Sequence, residues 1–215
     1  MKNKNIILCL FALINFNLFA QQDTVSRMKV SFLFGKNASS FIFKDSLGVK
    51  NKDLNNTMGD FFGLNLQIRL KKRHVLVPEL AYYNAGSNYK KEGLDITWRL
   101  NYVGFGLGYA FKIIDSKNYS MAPKIAIGYD YLLKQNQTIG TVTYDLTQTN
   151  ATFINYNIRS SYGVTNQFKI TDNLSFIAEY RYSIGLNQIE NSRFNANKTT
   201  KNTSNTFIAG LLFKI

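Results

Sequence analysis

Little in this chain is equipped for covalent or metal chemistry. It carries one histidine, His74, and one cysteine, Cys9. It has no HExxH pair and no Asp-rich calcium loop, so neither a metal set nor a cofactor is expected. The run Gly104-x-Gly106-x-Gly108 lacks the spacing of a dinucleotide fingerprint, and no helical pattern follows it. What stands out is a set of charges among apolar residues: Glu79, Lys124, Asp130, Arg159, Glu179 and Arg181. Unpaired charge in an apolar setting is costly. Such a set is either a paired network that plugs an interior or the lining of a narrow polar pore or proton path.

The segments that carry these charges alternate with period two, the signature of β-strands. In Tyr119–Leu133, the residues Tyr119, Met121, Pro123, Ile125, Ile127, Tyr129, Tyr131 and Leu133 share one face, with Lys124 and Asp130 opposite. Leu174–Leu186 puts Phe176, Tyr180 and Tyr182 on one face and Glu179 and Arg181 on the other, with Ile177 an apolar intruder. Tyr156–Ile170 sets Ile158, Tyr162, Val164 and Phe168 against Arg159 and its polar neighbours. Phe62–Leu70 sets aliphatics against Asn65, Gln67 and Arg69. Met28–Phe34, Val75–Ala85, Val103–Ile113 and Phe207–Ile215 fit less strictly, making eight strands. From Leu94 to Ile113 the apolar phase changes near Tyr102 and Val103. That implies a bulge, or a strand whose outer part leaves the bilayer. Gly104, Gly106, Gly108 and Ala110 then face inward and leave room for large side chains opposite.

The 215 residues suit one domain, and 14% aromatics with two prolines exclude a disordered chain. A mean hydropathy of −0.17 excludes a bundle of membrane helices. Met1–Ala20 reads as a secretory signal peptide: Lys2 and Lys4, an apolar run from Ile6 to Ile14, and Ala20 before Gln21. Leu8 stands where a lipoprotein signal needs a small residue, so Cys9 leaves with the signal. The domain is then 21–215, without cysteine, and its charge drops from +13 to +11 as Lys2 and Lys4 are lost.

Alternation alone also suits a soluble sandwich. Two features favour the membrane. The apolar faces are nearly complete and rich in Tyr and Phe, while the opposite faces mix charge with Gly and Ser. Connections also alternate in length: Leu70–His74, Ile114–Lys117 and Thr171–Asn173 are short, whereas Lys44–Met58, Gly86–Thr97, Lys134–Thr152 and Asn187–Thr203 are long. The expected fold is all-β: an eight-stranded antiparallel up-and-down transmembrane β-barrel with short periplasmic turns and long outer loops. Tyr109, Phe111, Tyr119, Phe168 and Phe213 fall near the periplasmic border, and Tyr82, Tyr129, Tyr131, Tyr156 and Tyr182 near the outer one. Counting up from the turns, Glu79, Lys124 and Glu179 share a level. Lys124 and Arg159 are the candidate partners of Glu179.

Several stretches resemble the PorT-like family of outer-membrane barrels, within the wider OmpA/OmpX-like eight-stranded class. They are Lys29–Phe41 with its Gly-x-Asn-x-Ser pattern, Val77–Gly86 with Glu-Leu-x-Tyr, and Leu174–Asn187 with Glu-x-Arg-Tyr before Gly-Leu. The resemblance implies that the first strand turns through Gly35–Ser39. It also implies a Gram-negative outer-membrane location and a link to a secretion machine of the cell envelope. The chain ends on Ile215 rather than an aromatic, with Phe213 two residues earlier on the same face.

His74 follows Lys71-Lys72-Arg73 in a short turn. That places it on the periplasmic side, out of reach of an outer-leaflet lipid substrate. The expected function is therefore non-enzymatic: an integral barrel of the cell envelope assisting a secretion or envelope-assembly machine. The alternatives are a surface-binding protein acting through its outer loops, or a small channel. Expected partners are outer-membrane lipids and lipopolysaccharide, the barrel-assembly machinery during insertion, and secretion-machine proteins. Lys90, Lys91, Lys198 and Lys201 are candidates for lipopolysaccharide phosphates, with ordinary solvation the competing reading. Nucleic acid is not an expected partner, because the address is extracytoplasmic and the basic residues are scattered.

Overall fold

In a computed structural model, residues 28–91, 93–147, 152–191 and 199–215 are described. The expected signal peptide, 1–20, lies outside them. The strands are β1 (Met28–Lys44), β2 (Leu54–Asn55), β3 (Thr57–Lys71), β4 (His74–Lys91), β5 (Leu94–Phe111), β6 (Ile114–Asp115), β7 (Tyr119–Ile139), β8 (Val142–Asp145), β9 (Tyr156–Lys169), β10 (Leu174–Gly185) and β11 (Thr199–Lys214). Eight of them close an antiparallel ring in the order β1-β3-β4-β5-β7-β9-β10-β11 and back to β1. β2, β6 and β8 are short additions on β4 and β7. Closure leaves the ring without an edge, so backbone groups are satisfied where no water can reach.

The register fixes the barrel's shape. Tyr119 on β7 pairs with Phe168, which pairs with Phe176, then Leu211, Phe32, Leu64, Leu80 and Phe105. Phe105 returns to β7 at Tyr129, ten residues above the start. A stagger of ten over eight strands, with about 3.3 Å per residue and about 4.8 Å between strands, tilts the strands by about 40°. Each residue then climbs roughly 2.5 Å, so an apolar band of about 25 Å takes about ten residues. The ring strands hold 12 to 21 residues, so most extend beyond the band.

The extension is on one side. At the other end β3 and β4 are joined through residues 72 and 73, and β9 and β10 through 170–173. Much of two expected long loops, Gly86–Thr97 and Lys134–Thr152, is strand instead among the described residues. β4 and β5 pair as one hairpin as far as Lys91 and Leu94, and Gly93 takes φ +83°. β7 continues to Ile139 and folds back as β8 after Gly140, at φ +59°. A left-handed residue at each tip is why glycine stands there. β1 likewise passes straight through Gly35–Ser39 to Lys44, without the turn the resemblance implied.

The phase change in β5 has its explanation here. The inward positions of β5 stay even throughout, and Leu100 and Tyr102 are both 0% exposed inside the barrel. The irregularity belongs to β7: Asn101 pairs with Lys134 and Tyr102 with Leu132, leaving Leu133 as the extra residue. What changes along β5 is the solvent. Below Val103 the outward face meets lipid and is apolar. Above it the outward face carries Asn101 and Arg99, while the inward face becomes apolar.

Candidate functional site

The six charged residues all point into the barrel and all are buried. They form two groups. In the lower group Arg181 grips Glu79 with two hydrogen bonds, Nη1 to Oε1 at 2.6 Å and Nη2 to Oε2 at 2.7 Å. It also donates from Nε to Glu179 Oε1 at 2.8 Å. Lys124 Nζ donates to Glu179 Oε2 at 2.7 Å and lies 3.9 Å from Glu79. Thr165 Oγ1 adds a hydrogen bond to Glu179 at 3.0 Å. Arg181 also lies 5.2 Å from the Phe61 ring centroid. In the upper group Arg159 Nε donates to Asp130 at 3.0 Å, and Asn157 Nδ2 donates to the same carboxylate at 3.0 Å. Arg159 lies 5.5 Å from the Tyr83 ring centroid. The structure thus brings Glu179 to Lys124 and Arg181, and gives Arg159 to Asp130 instead.

Glycine makes room for the upper pair. A Cβ on Gly104 would run into Asp130 Oδ1, and one on Gly128 would stand 3.0 Å from Arg159 Nη2. Three acids against three bases leave the set neutral, so each buried charge has an opposite beside it.

Around the charges the lumen is packed. Leu33, Ile177, Ile208, Leu212 and Phe61 fill the side of the interior that the ion pairs leave free. Two luminal cavities each offer 10 Å³ to a water-sized sphere, one below the Glu179 group and one beside Arg159. That is about one water each. The outer mouth is stopped by apolar side chains. Phe153, from the connection between β7 and β9, stands 5.5 Å from Phe41, which stands 6.2 Å from Trp98. Ile189, after β10, is 0% exposed, and Ile154 N donates to Ile189 O at 2.7 Å, tying the two connections together over the mouth. The sequence reading gave Phe41, Trp98 and Phe153 no such role. The continued alternation through Ile96, Trp98, Leu100 and Tyr102 was the available signal.

His74 opens β4 at the short-turn end. Its Nδ1 is 2.5 Å from the Tyr109 hydroxyl, and its ring meets Phe111 edge-on at 5.2 Å. It sits in the lower aromatic girdle with Tyr119 and Phe168, whose rings are 5.1 Å apart. At the outer girdle Tyr129 and Tyr156 stack at 6.0 Å. The lysines singled out for phosphates are engaged otherwise: Lys90 with Asp95 at 3.1 Å, Lys91 with Asp53 at 3.7 Å, and Lys201 with Leu186 O at 3.0 Å. Lys198 lies outside the described residues. The Asn88 amide and Lys90 together hold the exposed Asp95 carboxyl below the usual aspartate range. Among the described residues, no group of three or more His, Cys, Asp or Glu stands close enough to hold a metal ion.

Comparison with solved structures finds similar folds. The outer membrane protein OprG of Pseudomonas aeruginosa aligns at TM-score 0.51 and 12% identity, over 89% of this chain and 96% of that one. Neisserial surface protein A aligns at TM-score 0.45 and 17% identity, over 86% and 97%. Ail, the attachment invasion locus protein of Yersinia pestis, aligns at 0.43 and 16%, over 87% and 99%. No curated protein matches in sequence. The family described as outer membrane protein beta-barrel domain matches residues 6–211. An eight-strand closed ring, a lipid-facing aromatic band and that match agree: the chain belongs to the outer membrane protein beta-barrel domain family.

Proposed function

We propose that this protein is a non-conducting, non-enzymatic barrel that works through its extension above the outer membrane. The observation that carries this is the two-faced character of that extension. Cross-strand neighbours share a face. One row runs Leu54, Tyr89, Ile96, Ile139 and Val142 across β2, β4, β5, β7 and β8, from Leu54 packed on the core to Ile139 and Val142 in the open. The other face carries Asn88, Asp95, Thr97, Thr138 and Thr143, joined by hydrogen bonds such as Asn88 to Thr97 at 2.7 Å. Leu94, Ile139, Val142 and Tyr144 are 38–51% exposed, although no lipid reaches them. An exposed apolar face outside the membrane suits a protein partner. Below it, the filled lumen and the stoppered mouth support a barrel that anchors rather than conducts.

The likeness of Lys29–Phe41, Val77–Gly86 and Leu174–Asn187 to PorT-like barrels supports a partner in a secretion or envelope-assembly machine. The signal-like Met1–Ala20 supports export. Cross-linking in intact cells tests the binding reading. Val142→Asp with Tyr144→Ser should abolish the cross-linked partner while the barrel still folds. Unchanged cross-linking would refute the reading.

A further inference from the structure

The wall of the barrel changes construction where β3 meets β4 at the outer membrane border. The β3–β4 ladder ends at Phe61 and Tyr83, and pairing on that edge of β4 resumes only where Asn55 meets Asn88. Across the gap β1 reaches through. Asn37 Nδ2 donates to Asn84 O at 2.8 Å, and Gly86 N donates to Ser39 Oγ at 2.8 Å. The displaced stretch 56–60 borders a cleft of 230 Å³, whose lining includes Asp60, Asn84, Arg99, Asn101 and Asn136.

The outward pattern sets the height of this cleft. The last apolar row is Phe62, Tyr82, Val103 and Tyr131, and the row two residues higher is Asp60, Asn84, Asn101 and Lys134. The switch from hydrocarbon-facing to polar residues marks the upper border of the band. With strands tilted by about 40° each row climbs about 3 Å per strand, so Asp60 stands at the border and Arg99 and Lys134 about 10 Å above it, where a glycolipid's phosphates and sugars lie. Asp60 is already neutralised by Lys36 at 2.6 Å. The Asn84 amide is spent on Asn101 Oδ1 at 2.9 Å and on the Asp60 N–H at 3.2 Å. Arg99 stands opposite Asn136, and Lys134 opposite Asn101, which makes a two-by-two block of cations and amides on one face. Lys134 is 3.7 Å from Asp145. Among the described residues, Arg99 has no carboxylate at ion-pair distance.

We propose that this cleft binds the phosphorylated sugar headgroup of an outer-leaflet glycolipid, whose acyl chains lie against the aromatic wall beneath it. Arg99 presents a planar fork that matches a phosphate. Lys134 stands beside the cleft opposite Asn101 and adds charge at its rim, and the Asn101 and Asn136 amides in its lining suit sugar hydroxyls. The site lies on the outward wall, apart from the apolar face of the extension, and does not rest on the protein-binding reading.

The test uses the full-length protein, refolded in a zwitterionic detergent and titrated with bisphosphorylated lipid A, with its dephosphorylated form, and with inorganic phosphate. Wild type should bind the bisphosphorylated lipid at least about tenfold more tightly than the dephosphorylated one. Arg99→Gln with Lys134→Gln should remove that difference, and Lys201→Gln should keep it. Equal binding of the two lipids by wild type would overturn the proposal, and this comparison needs no variant to fold. So would an unchanged preference in the double variant, or inorganic phosphate binding as tightly as the lipid.

Discussion

Glu179 is the residue on which the interior turns, because it accepts from Lys124, Arg181 and Thr165 at once. Glu179→Ala leaves Lys124 with Glu79 at 3.9 Å as its nearest carboxylate. Breaking a buried pair by removing one partner costs about 3–5 kcal/mol, and that loss is expected in a reversible urea titration in lipid vesicles. Adding Lys124→Met to Glu179→Ala should recover part of it. Adding Arg159→Met should make matters worse, because Arg159 belongs to Asp130. If the Arg159 change rescues instead, the two groups are assigned wrongly. Gly104→Ala should cost about 1–3 kcal/mol by overpacking against Asp130. At the tip of the β4–β5 hairpin, Asp95 has a lowered pKa. Its contribution is present above the ordinary Asp value of about 3.9 and is lost as pH falls through the lower folded value. The Asn88 amide resonances should report that loss between those limits.

At the scale of the strand, lipid makes the sequence legible. Ile127 is 57% exposed on the outward face of β7, so Ile127→Arg should cost about 2–4 kcal/mol near mid-membrane. Lys201→Glu, in the extension, should stay within about 0.5 kcal/mol. Equal losses in the folding assay would misplace the band. Lipid selects one face of each strand, and that is why Tyr119–Leu133 and Leu174–Leu186 declared their inward residues from sequence alone. Where the strands leave the bilayer the selection reverses. Trp98, Leu100 and Tyr102 stay in phase while their environment changes from a lipid-facing barrel to a covered mouth, so a change of solvent read as a slip of register. The same reversal made Gly86–Thr97 and Lys134–Thr152 look like loops. The partners within the charged set were not legible either, because they depend on the ten-residue stagger around the ring. Period-two alternation says which way Arg159 and Lys124 point, but not at what height each meets β10.

The whole molecule is a tilted eight-strand ring, filled by neutralised charge in the middle and stoppered by Phe41, Phe153 and Ile189 at its outer end. Closure on every strand predicts a heat-modifiable protein whose circular dichroism in detergent is dominated by β structure. A mainly helical spectrum would contradict the fold. Removing Gln137–Tyr144, the tip of the β7–β8 hairpin, should leave heat-modifiability intact, because the ring closes below it. Among the described residues the ring leaves no continuous water path, only two one-water cavities. Planar-bilayer recording of the refolded wild-type protein tests it directly. Wild type should pass no sustained ionic current at either polarity. Steady single-channel conductance in wild type would contradict it and make the charged set the lining of a pore.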